Sequence, residues 1–232
     1  MIKFPIGIEA EAVVFDFDGV IVDTEPLHYN AFQQVLTPLN LGFSWQEYID
    51  IFMGFDDRDA FIEIFNKSCK QLTLDDLTAL ISLKADTFQK IITNGVVPYP
   101  GVIKLITELH KSEVPLAISS GALHSDINPI LKMLGLDSCF NIIVSAEDVV
   151  KSKPDPACYK LAYSILHDQW PKTSITPATT LAIEDTPAGI SSALQAGLQV
   201  VAVTNSYSRD HINNATTIVS SLSELTGFKK IL

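Results

Sequence analysis

The second half of the chain alternates short apolar runs with segments that have helical spacing. The apolar runs predict β-strands, because each is rich in aliphatic side chains and bounded by turn residues. These predicted strands cover residues 115–119, 141–144, 180–184 and 199–203, with a last short one near 217–219. Alternation with short connections predicts a parallel sheet that carries helices on both faces.

Four helices are predicted between these strands, over residues 102–111, 124–134, 155–167 and 187–196. The last of them has the clearest boundaries. Thr186 precedes it as an N-cap, Pro187 occupies its first turn, and Gly197 follows its end. These signals place the end of one apolar strand directly before a helix, which is the usual position of a binding site in α/β proteins.

The apolar run that begins at Val13 predicts one more buried strand near the N-terminus. It ends in Asp16 and Asp18, which are followed by Gly19. Side chains two positions apart in a strand point the same way, so both carboxylates are expected to overhang one site. Two close carboxylates repel each other, and a divalent cation with oxygen ligands would relieve that repulsion. Solvated aspartates at a turn are the alternative for an isolated motif of this kind.

Residues 24–92 lack strand patterning and are predicted to be helical. Ser44 and Glu47 form a capping box, and Thr73 has the sequence of an N-cap before a long helix. Glycine and proline residues in 94–101 then break the helical pattern. The sequence therefore predicts an α/β fold: a Rossmann-like parallel sheet of residues 1–22 and 95–232, and a small all-α cap domain of residues 23–94 inserted after the first strand.

Charge and composition exclude several classes of partner. The 232 residues include 16 Lys and Arg against 27 Asp and Glu, a net charge of −11, and no basic stripe is present for a nucleic acid. No apolar stretch approaches the ~20 residues of a membrane span, and residues 1–11 do not resemble a signal peptide. Three scattered cysteines suggest a reducing compartment, so a cytoplasmic protein is expected. We expect a monomer or weak homo-oligomer.

Polar residues also follow the later predicted strands. They are Ser-Ser-Gly at 119–121, the segment Lys-Ser-Lys-Pro-Asp-Pro at 151–156, and Glu-Asp at 184–185. Taken singly, these segments have ordinary interpretations: a turn, an exposed basic loop, and carboxylates beside a helix N-terminus. In a parallel sheet, however, the carboxyl ends of strands share one edge.

The segment Asp-Phe-Asp-Gly-Val-Ile-Val-Asp-Thr-Glu at 16–25 closely resembles the first motif of the haloacid dehalogenase superfamily of phosphotransferases. The polar segments at 119–121, 151–156 and 184–185 match the other three motifs in order, so the resemblance covers essentially the whole chain. The inserted helices resemble the cap of the phosphoglycolate phosphatase and β-phosphoglucomutase branch.

The resemblance implies catalytic and metal-binding roles. Asp16 is expected to be the nucleophile, and Asp18 the general acid and base. Asp16, the main-chain carbonyl of Asp18, and Asp185 are expected to bind Mg²⁺, with Glu184 as a further ligand or as a partner of the ligands. The acid at Asp18 favours phosphate esters over the substrates of dehalogenases and phosphonatases.

The same resemblance implies phosphate-binding and specificity residues. Those expected to bind phosphate are Gly19, Ser119, Ser120 and Lys153. Lys153 matches better than Lys151, because the motif is Lys-Pro followed by an acidic residue. The cap residues expected to determine substrate specificity are Glu25, His28 and Arg58. Arg58, which ends a predicted cap loop that starts at Gly54, is alternatively an exposed helix-start residue, and His28 is alternatively a partly buried cap residue.

These features predict a Mg²⁺-dependent phosphatase of a small phosphorylated metabolite, such as a sugar phosphate or a phosphoglycolate-like acid. A β-phosphoglucomutase-like phosphotransferase is the alternative, and a non-catalytic sensor of phosphorylated metabolites is a third hypothesis. Mutases of this branch carry a lysine where this chain has Met53, and polar or basic residues where it has Ala122 and Leu123. Binding of a second phosphate group, which a mutase needs, is therefore poorly supported.

Overall fold

The computed structural model of the chain describes residues 1–53, 55–171 and 174–231. Eleven strands are present in this part of the chain: β1 (Ile2–Lys3), β2 (Glu9–Ala10), β3 (Ala12–Phe15), β4 (Val22–Asp23), β5 (Val97–Pro98), β6 (Leu116–Ser119), β7 (Ile142–Val144), β8 (Thr180–Glu184), β9 (Gln199–Val203), β10 (Thr217–Val219) and β11 (Lys229–Lys230). Six of them form one parallel sheet in the order β10-β9-β8-β3-β6-β7.

The α-helices of the described residues fall into two groups. The first group lies between β4 and β5: α1 (Glu25–Leu36), α2 (Trp45–Glu47), α3 (Asp57–Lys67) and α4 (Leu74–Ile92). The second alternates with the strands of the sheet: α5 (Val102–Lys111), α6 (His124–Met133), α7 (Ala157–Gln169) and α8 (Pro187–Gln195). The predicted fold class is therefore confirmed, with a parallel α/β core and a helical cap inserted after the first strand of the sheet.

Both faces of the sheet are covered by apolar side chains. Along β3, Val13 and Phe15 join the cluster that includes α5 and α6, while Val14 joins the cluster that includes α7 and α8. Every residue of β3 is fully buried. Burial on both sides explains why this strand has a continuous apolar run instead of an alternating one.

The helix boundaries follow their sequence signals. The Ser44 hydroxyl accepts from the Glu47 N–H, and the Glu47 side chain accepts from the Ser44 N–H, so the predicted capping box is confirmed. Thr73 caps α4 in the same way, and Thr186 caps α8 by accepting from the Gly189 N–H at 3.0 Å. α2 continues into a π-helical segment, Tyr48–Phe52, which brings Tyr48 into an aromatic cluster of the cap.

A small antiparallel sheet of β11, β1 and β2 was not predicted. Its strands are two residues long, which is too short to leave a period-two pattern in the sequence.

The two connections between core and cap pair with each other. β4 and β5 form an antiparallel ribbon in which Val22 faces Pro98 and Asp23 faces Val97. The domain boundary predicted at residues 22 and 23 falls within this ribbon, and that at 94 and 95 falls just before it. We propose that the ribbon is the boundary between the two domains.

Within the described residues, no helix combines the length and the apolar character that crossing a membrane requires.

Candidate active site

The carboxyl ends of three neighbouring strands meet at one edge of the sheet. β3 lies between β6 and β8, so Asp16, which follows β3, lies beside Ser119 at the end of β6 and Glu184 at the end of β8. The chain leaves β3 toward β6 and β7, and later returns to β8, β9 and β10 on the other side. Ligands of open α/β sheets bind at such a change of direction.

Lys153 connects the residues at this edge. Its Nζ donates to Asp16 Oδ1 at 2.8 Å, to Glu184 Oε1 at 2.7 Å and to the main-chain oxygen of Ser119 at 3.0 Å. Burial opposes the charge of this lysine, but the two carboxylates outweigh that effect and raise the pKa of Lys153 above its usual value. Lys151, in contrast, is 75% exposed. The structure thus places a fixed cation at the site and leaves the other lysine in solvent.

The acidic residues at this edge fit a divalent cation. Asp16, Glu184 and Asp185 each offer an oxygen, and these oxygens lie within 4.8 Å of one another. Burial raises the pKa of Asp16 to about 8, and burial with the charges of Asp16 and Glu184 raises the pKa of Asp185 well above its usual range. Asp185 Oδ1 is buried and has no hydrogen-bond partner in the described residues. A set of oxygen donors with one free buried oxygen suits Mg²⁺.

Glu184 is the member of this group whose oxygens are already occupied. Besides Lys153, its Oε1 accepts from the Tyr159 hydroxyl at 2.8 Å. Its Oε2 accepts from the Asp185 N–H at 3.1 Å and the Thr186 hydroxyl at 3.2 Å. A Cβ on Gly189 would lie 1.8 Å from Oε1, so α8 packs directly onto this carboxylate. These contacts favour a role for Glu184 in orienting Lys153 over direct binding of the metal.

Asp18 points toward the cap. Its Oδ1 accepts from the Thr24 hydroxyl and lies 3.4 Å from His28 Nε2. Burial disfavours its charge, but His28 and Thr24 together outweigh burial and lower the pKa of Asp18 below its usual value. Thr24 and His28 therefore hold the Asp18 carboxylate on the cap side of the cavity and favour its charged form.

Lys84 is a buried cation that the sequence analysis missed. Its Nζ lies 2.7 Å from His28 Nδ1 and 2.7 Å from Asp57 Oδ1, and its side chain is completely buried. Lys84 thus contacts one nitrogen of the His28 ring, while the other nitrogen, Nε2, faces Asp18. The signal that reveals Lys84 is its position four residues before Phe88, on the buried face of α4.

The two serines at the end of β6 face in different directions. The Ser119 hydroxyl donates to Cys158 Sγ at 2.9 Å and is fully buried, whereas Ser120 lines the cavity between core and cap. Alternation explains the difference, because Ser119 follows Ala117 onto the sheet face that α7 covers. Of the two predicted phosphate-binding serines, only Ser120 lines the cavity, and its hydroxyl accepts from the Ala122 N–H at 3.0 Å.

Gly19 is required for close packing. Its φ is +79°, and a Cβ would lie 1.9 Å from Asp185 Oδ2. Its N–H donates to the main-chain oxygen of Val22 at 3.0 Å, and its own carbonyl accepts from Asn205 at 2.7 Å. The Gly19 N–H is thus used in the turn, and the missing side chain lets the turn approach the Asp185 carboxylate. The phosphate-binding role expected of Gly19 stays a prediction.

The predicted cap residues separate into two groups. Glu25 and His28 line the cavity, and the Glu25 carboxyl accepts from the Tyr48 hydroxyl. Arg58 lies outside the cavity, where it donates to Asp56 at 3.0 Å and to the Ser152 hydroxyl at 3.1 Å. Arg58 and Lys153 both line a second, more open pocket, so Arg58 lies near the predicted phosphate-binding lysine but does not line the cavity with Glu25 and His28. Gly54, at the start of the predicted cap loop, lies outside the described residues.

Comparisons with known proteins agree with this architecture. The family model described as haloacid dehalogenase-like hydrolase matches residues 13–203. β-Phosphoglucomutase from Bacillus subtilis is 28% identical over 198 residues, which cover 83% of each chain. Hexitol phosphatase A from Escherichia coli is 25% identical over 223 residues, or 96% of each chain.

Among solved structures, a β-phosphoglucomutase from Clostridium difficile superimposes with a TM-score of 0.82 at 21% identity, covering 94% of each chain. This likeness shows the shared fold. With a family model that matches most of its length, the chain belongs to the haloacid dehalogenase-like hydrolase family.

Proposed function

We propose that the protein is a Mg²⁺-dependent phosphatase that hydrolyses a small phosphorylated metabolite, a sugar phosphate or a phosphoglycolate-like acid. The observation that carries this proposal is the position of Lys153 against Asp16, beside the free buried oxygen of Asp185. The proposed nucleophile, a fixed cation and the proposed metal ligand thus lie together at the carboxyl ends of neighbouring strands. The match to hexitol phosphatase A supports the same chemistry.

Asp16 attacks the phosphorus atom, and the bond from phosphorus to the leaving oxygen breaks. Asp18, in its protonated form, gives that oxygen a proton, and the proton that it accepts from water in the second step restores this form. Lys153 neutralises charge on the phosphoryl oxygens, and the Ser120 hydroxyl binds one of them. Mg²⁺, when bound by Asp16, Asp185 and the main-chain carbonyl of Asp18, would add further positive charge at the same oxygens.

In the second step, a water molecule attacks the aspartyl phosphate and Asp18 accepts its proton. Phosphate then leaves, and Asp16 is regenerated. The low pKa of Asp18 suits this step, because an ionised carboxylate is ready to act as a base. Thr24 and His28 hold it in position.

A mutase is the second candidate, and the match to β-phosphoglucomutase from Bacillus subtilis favours it. A mutase has to hold a bisphosphate at both ends. In the part of the chain that the structure describes, Lys153 is the only lysine or arginine that lines the cavity. The chain therefore provides for one phosphoryl group better than for two.

Phosphate release from a panel of sugar phosphates, phosphoglycolate and nucleotides, with Mg²⁺ or with a chelator, tests the proposal. We expect metal-dependent release from one or a few compounds. Conversion of β-glucose 1-phosphate to glucose 6-phosphate, faster than release of free phosphate, would support the mutase instead. If no compound of the panel reacts, the third hypothesis of a non-catalytic sensor gains support.

A further inference from the structure

Two carboxylate oxygens beside the cavity have no hydrogen-bond partner among the described residues. One is Oδ2 of Asp57, at the start of α3, and the other is Oδ2 of Asp126, in the first turn of α6. Both residues line the cavity, and Asp126 is only 1% exposed. A buried acceptor without a donor is costly, so these two atoms indicate where a ligand supplies donors.

One cap helix holds both carboxylates in place. Asp57 Oδ1 accepts from Lys84 at 2.7 Å, and Asp126 Oδ1 accepts from Gln89 at 3.0 Å. Gln89 also donates to the main-chain oxygen of Ser125 at 2.6 Å, which ties α4 to the start of α6. In each carboxylate, therefore, α4 orients one oxygen and leaves the other without a donor.

The charges around these oxygens limit what can bind there. Lys84 is fully buried and already paired with Asp57. Lys153 is paired with Asp16 and Glu184 at the strand edge. Among the described residues, Lys153 is the only lysine or arginine that lines the cavity, and the nearby Arg58 is paired with Asp56. A second phosphoryl group beside Asp57 and Asp126 would therefore bring negative charge to carboxylates without an unpaired lysine or arginine among those residues. A hydroxyl group is neutral and donates one hydrogen bond, which is what each free oxygen lacks.

We propose that Asp57 and Asp126 form a hydroxyl-binding subsite that selects monophosphates with a neutral, hydroxylated leaving group and rejects a second phosphoryl group. This inference rests on the phosphatase function proposed above, and it specifies the half of the substrate that leaves. The cavity volume of about 70 Å³ is smaller than the ~300 Å³ or more of an ordinary ligand pocket. A sugar monophosphate therefore needs more room than this arrangement of cap and core leaves.

The test compares pairs of substrates that differ in one phosphoryl group. Glucose 6-phosphate is measured against glucose 1,6-bisphosphate, and fructose 6-phosphate against fructose 1,6-bisphosphate. For the wild type, we expect kcat/KM to favour the monophosphate by about tenfold or more in the pair that is turned over. p-Nitrophenyl phosphate, whose leaving group carries no additional hydroxyl, reports the chemical step alone.

Three variants separate the subsite from general damage. Asp126→Ala should lower kcat/KM for the sugar monophosphate about tenfold more than for p-nitrophenyl phosphate, mainly through KM. Asp126→Asn keeps an acceptor and removes the charge, so it should narrow the preference for the monophosphate over the bisphosphate. Asp86→Asn removes the same charge from an exposed position on α4 and should leave that preference unchanged.

The subsite is overturned if the wild type turns over bisphosphates as well as monophosphates, or if Asp126→Asn leaves the preference unchanged. Preference for phosphoethanolamine over every sugar phosphate would also overturn it, because the occupant would then be a cation. If even p-nitrophenyl phosphate is not hydrolysed, the proposed function fails instead. The subsite is then tested by calorimetry. If it exists, glucose 6-phosphate binds more weakly to Asp126→Ala than to the wild type, and equal binding overturns the subsite.

Discussion

The floor and the roof of the cavity are built in different ways. The floor consists of Asp16 and Glu184 at strand ends and of Lys153 in the loop before α7, and these three are joined by hydrogen bonds of 2.7 to 2.8 Å. The roof depends on Lys84 and its partners His28 and Asp57, which come from three separate helices of the cap. The sheet and one loop therefore position the residues of the floor. The residues of the roof are positioned by the packing of cap helices, of which α4 is also tied to the core through Gln89.

The largest expected effect is at the floor. Replacing Asp16 by asparagine removes the nucleophile, and phosphate release should fall by about 10⁴-fold or more. The fold should persist, because Lys153 keeps its bond to Glu184. Steady-state assays together with thermal unfolding measure both effects, and retained turnover in a folded variant would contradict the mechanism.

The next effect distinguishes the two lysines of one loop. Lys153→Met leaves Asp16 and Glu184 buried without a counterion, so the free energy of unfolding should fall by about 3 kcal/mol and turnover by about 10³-fold. Lys151→Met is the matched control, because that side chain is exposed and should change neither quantity measurably. Urea unfolding and phosphate release measure the pair, and equal effects of the two variants would refute the distinction.

A smaller effect is expected at the roof. Lys84→Met leaves Asp57 without its cation, so we expect a loss of about 2 kcal/mol of stability and a fall of about tenfold in kcat/KM. Adding Asp57→Asn should restore part of the stability, because the unpaired charge is then gone. Lys90→Met, at an exposed position of the same helix, is the control. If urea unfolding shows that the double variant is no more stable than Lys84→Met, the ion pair of Lys84 and Asp57 does not stabilise the cap.

The smallest effect concerns Asp126. Burial raises the pKa of its carboxyl group, although the nearby Lys84 opposes this shift. A carboxyl group with a raised pKa stabilises the folded state fully at acid pH, and this contribution is lost as the pH rises through its folded pKa. Asp126→Asn cannot ionise and should be more stable than the wild type at neutral pH, with a difference that disappears at acid pH. Urea unfolding curves of both proteins across this pH range measure the difference in stability. A difference that does not change with pH would show that ionisation of Asp126 is not its cause.

The contrast between floor and roof also decides what the sequence could predict. Asp16, Asp18 and Asp185 lie at or just after the ends of predicted strands, and with Lys153 they belong to short motifs that were recognised by their resemblance to those of a known family. Their assigned roles in catalysis and metal binding stay predictions. The direction of Ser119 was beyond such reasoning, because a shift of one position along a strand changes the face to which a side chain points.

Residues of the roof were harder to predict. Lys84 lies 56 positions from His28 along the chain, and only the packing of α4 against α1 brings them together. Arg58 has a sequence position that suggested the cavity, yet its bonds to Asp56 and Ser152 hold it at the outer edge of the junction. No local pattern records such contacts, because they depend on how the cap helices are turned.

The ribbon of β4 and β5 places the two ends of the cap side by side. An insertion whose ends are adjacent can be exchanged for a segment of another length without moving the strands to which it is attached. The cap is thus a segment that can be replaced as a unit. Changes in the inserted segment can therefore alter the upper wall of the cavity while Asp16, Lys153 and Glu184 keep their places.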